Sequence, residues 1–385
     1  MPLCRSFTPF SILLAAEGMR LFAAGFFYLP VYLLAAEKAR TPIEATLPQT
    51  LLYTLGFASL WVGALLDRSD RKRVLVLSTL GQAALALALL PAPGLPLPYL
   101  LVLLLLFEFL DRFRALGAGL YLRSLVPKEN YEPRLGQLSA LHFAADSLAD
   151  PLAGAAYGKS AALPPLLGGP LLLLSSLLYT RLPPALPPKP RAPFRLGEAF
   201  AGLRFLLGHH LLRWVFLVAR LHGLVHGLLF SLLPLYVLRA LEAPPWVYGL
   251  LSGAWGVGSA TGALLLGRLL SAGRGLLATV SLFLMGGVLL GLALLPPWPV
   301  AVGLAFLFGV GQQFWSLLVT GLTYRELPEE LVGRGMGGVA FVSSLLAPLG
   351  PLLGGALAGV ALPLPFLLAG GLLLALAPWA GRGWR

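Results

Sequence analysis

His142, Asp146 and Asp150 recur every four residues within a stretch that is otherwise rich in Leu, Ala and Phe. On a helix that spacing puts all three on one face, with Ser139 just beyond it. Two carboxylates one turn apart and away from water compete for charge, so that one of them can hold a proton near neutral pH. The imidazole of His142 titrates in the same range. The chemistry on offer is therefore proton uptake and release. Pro151, directly after Asp150, removes one helical hydrogen bond and can kink the backbone there. A purely architectural role, in which the acids pair with arginines of neighbouring segments, is equally open for Asp146. For Asp150 the proline favours the proton-carrying role.

Three further acids stand inside apolar stretches, each with an arginine at helical spacing. Glu108 and Arg112 are four residues apart, Asp111 and Arg114 three, and Glu17 and Arg20 three. Such pairs can neutralise each other locally. Alternatively, Arg112 or Arg114 faces a cavity and exchanges charge with the acids of the His142–Asp150 segment. All five of these acids lie in the first half of the chain. The second half has Arg220, His222 and His226 in one apolar stretch. Two histidines one turn apart could form a metal pair, but with no acid or cysteine nearby in sequence no metal site is expected. Lining of a cavity is the better role for them. Gln312, Gln313 and Trp315, beside Phe314, could contact a bound molecule or pack between helices.

The elements that carry these residues follow from composition. The hydrophobic fraction is 58% and the charged fraction 11%, against about 25% charged in soluble domains. Apolar stretches of about 20 residues, each long enough to cross a bilayer, recur about twelve times. They are continuous rather than alternating, which predicts helices and not a barrel. If the N-terminus is cytoplasmic, 20 of the 28 Lys and Arg fall in cytoplasmic segments and 4 in outer loops. That bias predicts cytoplasmic N- and C-termini. The basic loops face anionic lipid, and their scatter excludes a nucleic-acid partner despite the net charge of +12. The single cysteine, Cys4, excludes an internal disulfide. The first apolar stretch, with Glu17 and Arg20 inside it, is a span rather than a secretory signal.

Local patterns also repeat at one offset. Gly63-Ala-Leu-Leu returns as Gly262-Ala-Leu-Leu, Pro127 as Pro328, and Asp150-Pro151-Leu-Ala-Gly154 as Gly350-Pro351-Leu-Leu-Gly354, at offsets of 199, 201 and 200. Two six-helix halves in parallel orientation are expected, with a first bundle over 1–181 and a second over 213–385. Between them, 182–212 holds a Pro-rich spacer and an amphipathic cytoplasmic helix.

Gly63, Asp67, Arg68, Arg71 and Lys72 form the run Gly-x-x-x-Asp-Arg-x-x-Arg-Lys between the second and third spans. This run resembles the loop signature of the major facilitator superfamily of transporters. Glu198-Ala-Phe-Ala-Gly-Leu-Arg204, followed by His-His-Leu-Leu-Arg213, and Pro328 with Gly333-Arg334 are similar to stretches of its macrolide-efflux and enterobactin-exporter-like branch. The resemblance implies an all-α membrane protein of twelve transmembrane helices, two parallel six-helix repeats around a central cavity. It implies a multi-pass inner-membrane monomer that moves a small molecule by alternating access, with the Gly63–Lys72 loop as a gate. Proton-coupled efflux of lipophilic molecules is the expected activity, driven by the proton gradient without a cofactor. Facilitated uptake of a metabolite or lipid, and a non-transporting receptor or scaffold, are the alternatives. The sequence departs from the antiporter pattern at Asp150 and Ala155, where that pattern has glycines. No ATP-binding loop and no hydrolase motif is present, so neither a primary pump nor an enzyme is expected.

Overall fold

Short polar signals start the helices and prolines punctuate them. Thr41 precedes Pro42, and its hydroxyl accepts from the Glu44 backbone N–H at 3.3 Å, while the Glu44 carboxylate reaches back to the Arg40 N–H at 2.7 Å. This reciprocal cap starts the helix that begins at Pro42. Asp70 does the same further on, accepting from the N–H groups of Lys72 at 2.9 Å and Arg73 at 3.4 Å. An aspartate there is an N-cap that a glycine could not supply.

The computed structural model describes residues 8–55, 62, 69–91, 94–126, 131–184, 208, 210–326 and 346–382. They form twelve α-helices: α1 (Pro9–Lys38), α2 (Pro42–Thr54), α3 (Arg71–Ala88), α4 (Leu97–Leu125), α5 (Tyr131–Lys159), α6 (Leu163–Thr180), α7 (His210–Leu235), α8 (Trp246–Leu269), α9 (Arg274–Ala293), α10 (Trp298–Glu326), α11 (Leu349–Val360) and α12 (Leu364–Arg382). A π-helical turn, Tyr236–Ala240, follows Pro234 at the end of α7. No strand occurs among the described residues. Seven helices are long and apolar enough to cross a membrane. The others carry charge inside, as α3, α4 and α5 do, or are described over only 13 and 12 residues, as α2 and α11 are. The Pro-rich spacer, the expected amphipathic helix up to residue 207, and the loop carrying Gly333 and Arg334 lie outside the described residues.

Contacts divide the chain into two units. The first comprises Met1–Leu34 and Ala58–Pro193, the second Ala35–Phe57 and Phe194–Arg385. Residues 35–57, expected in the first bundle, group with the second. The reason is glycine packing on α11. A methyl group at Gly355 would fall 2.7 Å from the Ile43 Cα and 2.9 Å from the Thr46 hydroxyl, so α2 lies directly on α11.

In the first unit, Ser175 and Ser176 of α6 donate to the Ala16 carbonyl of α1 at 2.8 Å and the Val76 carbonyl of α3 at 2.9 Å. Phe27 and Phe107 stack at 3.9 Å between α1 and α4. Around the lower ends of these helices Leu13, Ala16, Leu75, Tyr121, Leu122 and Tyr179 form a buried core. In the second unit, small residues let helix backbones approach, the usual packing device in lipid. Gly286 and Gly370 face each other across α9 and α12, where a methyl group on either would lie 2.9 Å from the other's carbonyl. At Gly258 a methyl group would overlap the Phe306 carbonyl of α10. Gly258→Ala is expected to cost about 1–3 kcal/mol, the usual penalty of overpacking, read as a lower thermal midpoint in detergent. Gly287→Ala, where a methyl group meets nothing within 4 Å, should leave the midpoint unchanged.

The internal repeat has a packing counterpart. A methyl group at Gly25 of α1 would lie 2.7 Å from the Ala149 Cβ and 3.1 Å from Asp150 Oδ1 on α5. At Gly227 of α7 it would lie 3.1 Å from Pro351 on α11. Each half thus crosses its first and fifth helices at a glycine, with Asp150 standing where the second half has Gly350.

Candidate functional site

The charged residues of α1 and α4 meet in the interior of the first unit. Within α4, Arg112 pairs with Glu108 at 2.7 Å and Arg114 with Asp111 at 2.9 Å, the two local pairs that the spacing predicts. Glu17 and Arg20 do not neutralise each other. Glu17 binds Arg114 at 2.5 Å and Arg20 binds Asp111, so both reach across to α4. Glu17, Arg114, Asp111 and Arg20 therefore form one network of two carboxylates and two guanidiniums, and Glu108–Arg112 is a further pair. Glu17, Arg20, Glu108 and Arg114 are each no more than 6% exposed. Ionised groups this deep persist only when paired and hydrogen-bonded.

Neutral residues that sequence reading missed complete the pairing. The Tyr179 hydroxyl of α6 donates to Glu17 at 2.7 Å, the Tyr28 hydroxyl of α1 to Glu108 at 2.7 Å, and the Gln82 amide of α3 to Asp111 at 3.2 Å. The available signal was that a tyrosine inside an apolar stretch needs a partner for its hydroxyl.

On α5, Asp150 is half-buried and faces Gly25 of α1, beside Pro151 within the helix. His142, on the same helix, is exposed. The side chains of Asp146 and Ser139 lie outside the described residues. Of the loop between the second and third spans, Gly63, Asp67 and Arg68 also lie outside them. Arg71, expected at a gate, is buried, and its guanidinium donates to the Leu120 carbonyl of α4 at 2.9 Å, tying the start of α3 to the end of α4. Lys72 is half-buried in the first turn of α3.

In the second unit His222, His226 and Phe230 repeat every four residues on α7 and meet Trp255 of α8 and Trp315 of α10. The His226 ring stacks on Phe230 at 4.2 Å, and Phe230 meets Trp255 edge-on at 4.8 Å. The His222 ring lies 6.1 Å from Trp315 and 6.4 Å from His226. Gln312 accepts from the Trp255 indole N–H at 3.0 Å. Gln313 serves packing, since its Cβ lies 3.1 Å from the place of a methyl group on Gly262 of α8. Phe230 and Trp255 were not singled out in the sequence, although Phe230 continues the four-residue spacing of the histidines. Among the described residues no group of three or more His, Cys, Asp or Glu is placed to hold a metal ion.

The family model for the Major Facilitator Superfamily matches residues 12–351. The enterobactin exporter EntS of Salmonella choleraesuis strain SC-B67 is 30% identical over 331 residues, which cover 77% of this chain and 75% of that one. EntS of Salmonella typhimurium strain LT2 is 31% identical over 334 residues, with the same coverage. Among solved structures, a bacterial homologue of the iron transporter ferroportin in the inward-facing state superposes with a TM-score of 0.68 at 20% identity, covering 100% of this chain and 99% of that one. A bacterial homologue of the human lysosomal transporter Spinster, inward-facing and unoccupied, gives 0.72 at 14% identity, covering 98% of each chain. At these identities the structural likeness speaks for the fold.

Proposed function

The chain belongs to the Major Facilitator Superfamily, and we propose on that premise that it exports a lipophilic small molecule across the inner membrane in exchange for protons. The observation that carries this reading is the division of chemistry between the units. The spans of the first hold all five acids at bilayer depth, with Asp150 at a helix crossing beside a proline. In α7–α12 the only acid is Glu326, at the end of α10. Charge handling in one half and ligand contact in the other suit an antiporter in which the two are linked through the change of conformation. In this reading Asp150 and Asp146 carry the proton, and His142 lies on its route. Glu108 and Asp111 are held in ion pairs by Arg112, Arg114 and Arg20. The distribution of Lys and Arg supports cytoplasmic termini, and the protein acts as a monomer. The similarity to exporters supports the outward direction.

Inverted membrane vesicles energised with an acidic lumen test this. A labelled lipophilic compound is expected to accumulate inside, and a protonophore to abolish the accumulation. Equilibration of the compound without accumulation, unchanged by the protonophore, would point to facilitated movement instead. Saturable binding with no flux would point to a receptor.

A further inference from the structure

The aromatic cluster of α7, α8 and α10 has a chemical bias of its own. Its open side is formed by half-buried His226, Phe230, Trp255 and Gln312, and its floor by buried His222 and Trp315. His222 is 8% exposed, and its Nε2 is buried with no hydrogen-bond partner among the described residues. An orphaned buried nitrogen in a folded protein asks for an explanation. In neutral imidazole that nitrogen either donates or accepts, according to the tautomer. A hydroxyl group, which does both, suits either form. Phe230 and Trp255 also line a partly open cavity of about 20 Å³, together with the apolar side chains of Leu233, Leu251 and Phe308. It has room for about one water-sized group, and an apolar lining favours a methyl-sized substituent over water.

Charge narrows the ligand further. The ionisable groups of α7 are His210, Arg213, Arg220, His222 and His226, and Arg220 lies over the Phe216 ring at 5.3 Å. No carboxylate is present in α7–α9 or α11–α12, and the one in α10 is at its end. Within α7, α8 and α10 a ligand cation at this cluster would meet positive or neutral groups, apart from Glu326 at the end of α10.

We propose that this recess binds the aromatic ring of a neutral or anionic, hydroxyl-bearing ligand, stacked on Phe230 and Trp255 with its hydroxyl on His222, and that it discriminates against lipophilic cations. The proposal rests on the export reading for its physiological meaning, but it is tested by binding alone.

The probes are 2-naphthol, naphthalene, 2-naphthoate and 2-naphthylmethylammonium, with affinities measured on the purified full chain in detergent. Because juxtaposed like charges are costly, 2-naphthol and 2-naphthoate are expected to bind at least about tenfold more tightly than the ammonium compound. His222→Phe should remove the advantage of 2-naphthol over naphthalene, about fivefold for one hydrogen bond, and His222→Gln should restore part of it. An ammonium probe that binds as tightly as 2-naphthol to the wild type would overturn the proposal, whatever the variants do. So would an advantage of 2-naphthol that survives in His222→Phe. The predicted preferences without flux in vesicles would sustain the recess and overturn export. Proton-linked flux with the cation preferred would do the reverse.

Discussion

Arg114→Met is expected to cost about 3–5 kcal/mol of stability, the penalty of stranding buried charge. Arg114 holds Glu17 at 2.5 Å and Asp111 at 2.9 Å, and its side chain is 7% exposed. Its loss leaves Glu17 with only the Tyr179 hydroxyl and Asp111 with Arg20 and Gln82. Glu17 is then left without a guanidinium partner among the described residues, in a setting that water barely reaches. Arg112→Met should be milder, because that side chain is 29% exposed and Glu108 keeps its bond from Tyr28. Thermal unfolding in detergent gives the order. Glu17→Gln combined with Arg114→Met should be less damaging than the sum of the two single changes, because the first removes one of the charges that the second strands. Additive losses would mean that the two residues are not coupled.

Asp150→Asn is expected to reduce proton-driven export at least tenfold, about 1.4 kcal/mol or more on the coupled step, while ligand exchange across the membrane continues without a gradient. Asparagine keeps the size of the side chain and hence the close crossing with Gly25 of α1. What it loses is the ability to take up and release a proton. Asp150→Leu would be a poorer test, since it changes the packing at the same point. Loss of exchange together with export would make Asp150 an architectural residue. Export retained in full would remove it from the proton route.

The helices were legible because a bilayer demands long apolar runs, whereas the capping role of Asp70 needed the backbone. Glu108–Arg112 and Asp111–Arg114 could be read because both partners sit on one helix. The cross-helix bonds of Glu17 and Arg20 could not. Sequence spacing reveals neighbours on the same helix, and nothing in it sets the rotation of α1 against α4. For the same reason Tyr28, Gln82 and Tyr179 carried no periodic signal. The grouping of residues 35–57 with the second unit depends on Gly355, one glycine among many, and only its neighbours distinguish it. Gln312 and Gln313 are adjacent in sequence, yet one bonds Trp255 and the other packs on Gly262, because consecutive residues on a helix point about 100° apart.

The central claim is that ligand and proton move in opposite directions through one protein. Its most direct test is the internal pH of liposomes containing the wild-type chain, recorded under an imposed proton gradient as lipophilic ligands are added. The account predicts a proton flux that starts with the ligand, saturates with its concentration and is absent from empty liposomes. Labelled ligand that crosses at the same rate with no accompanying pH change would contradict it.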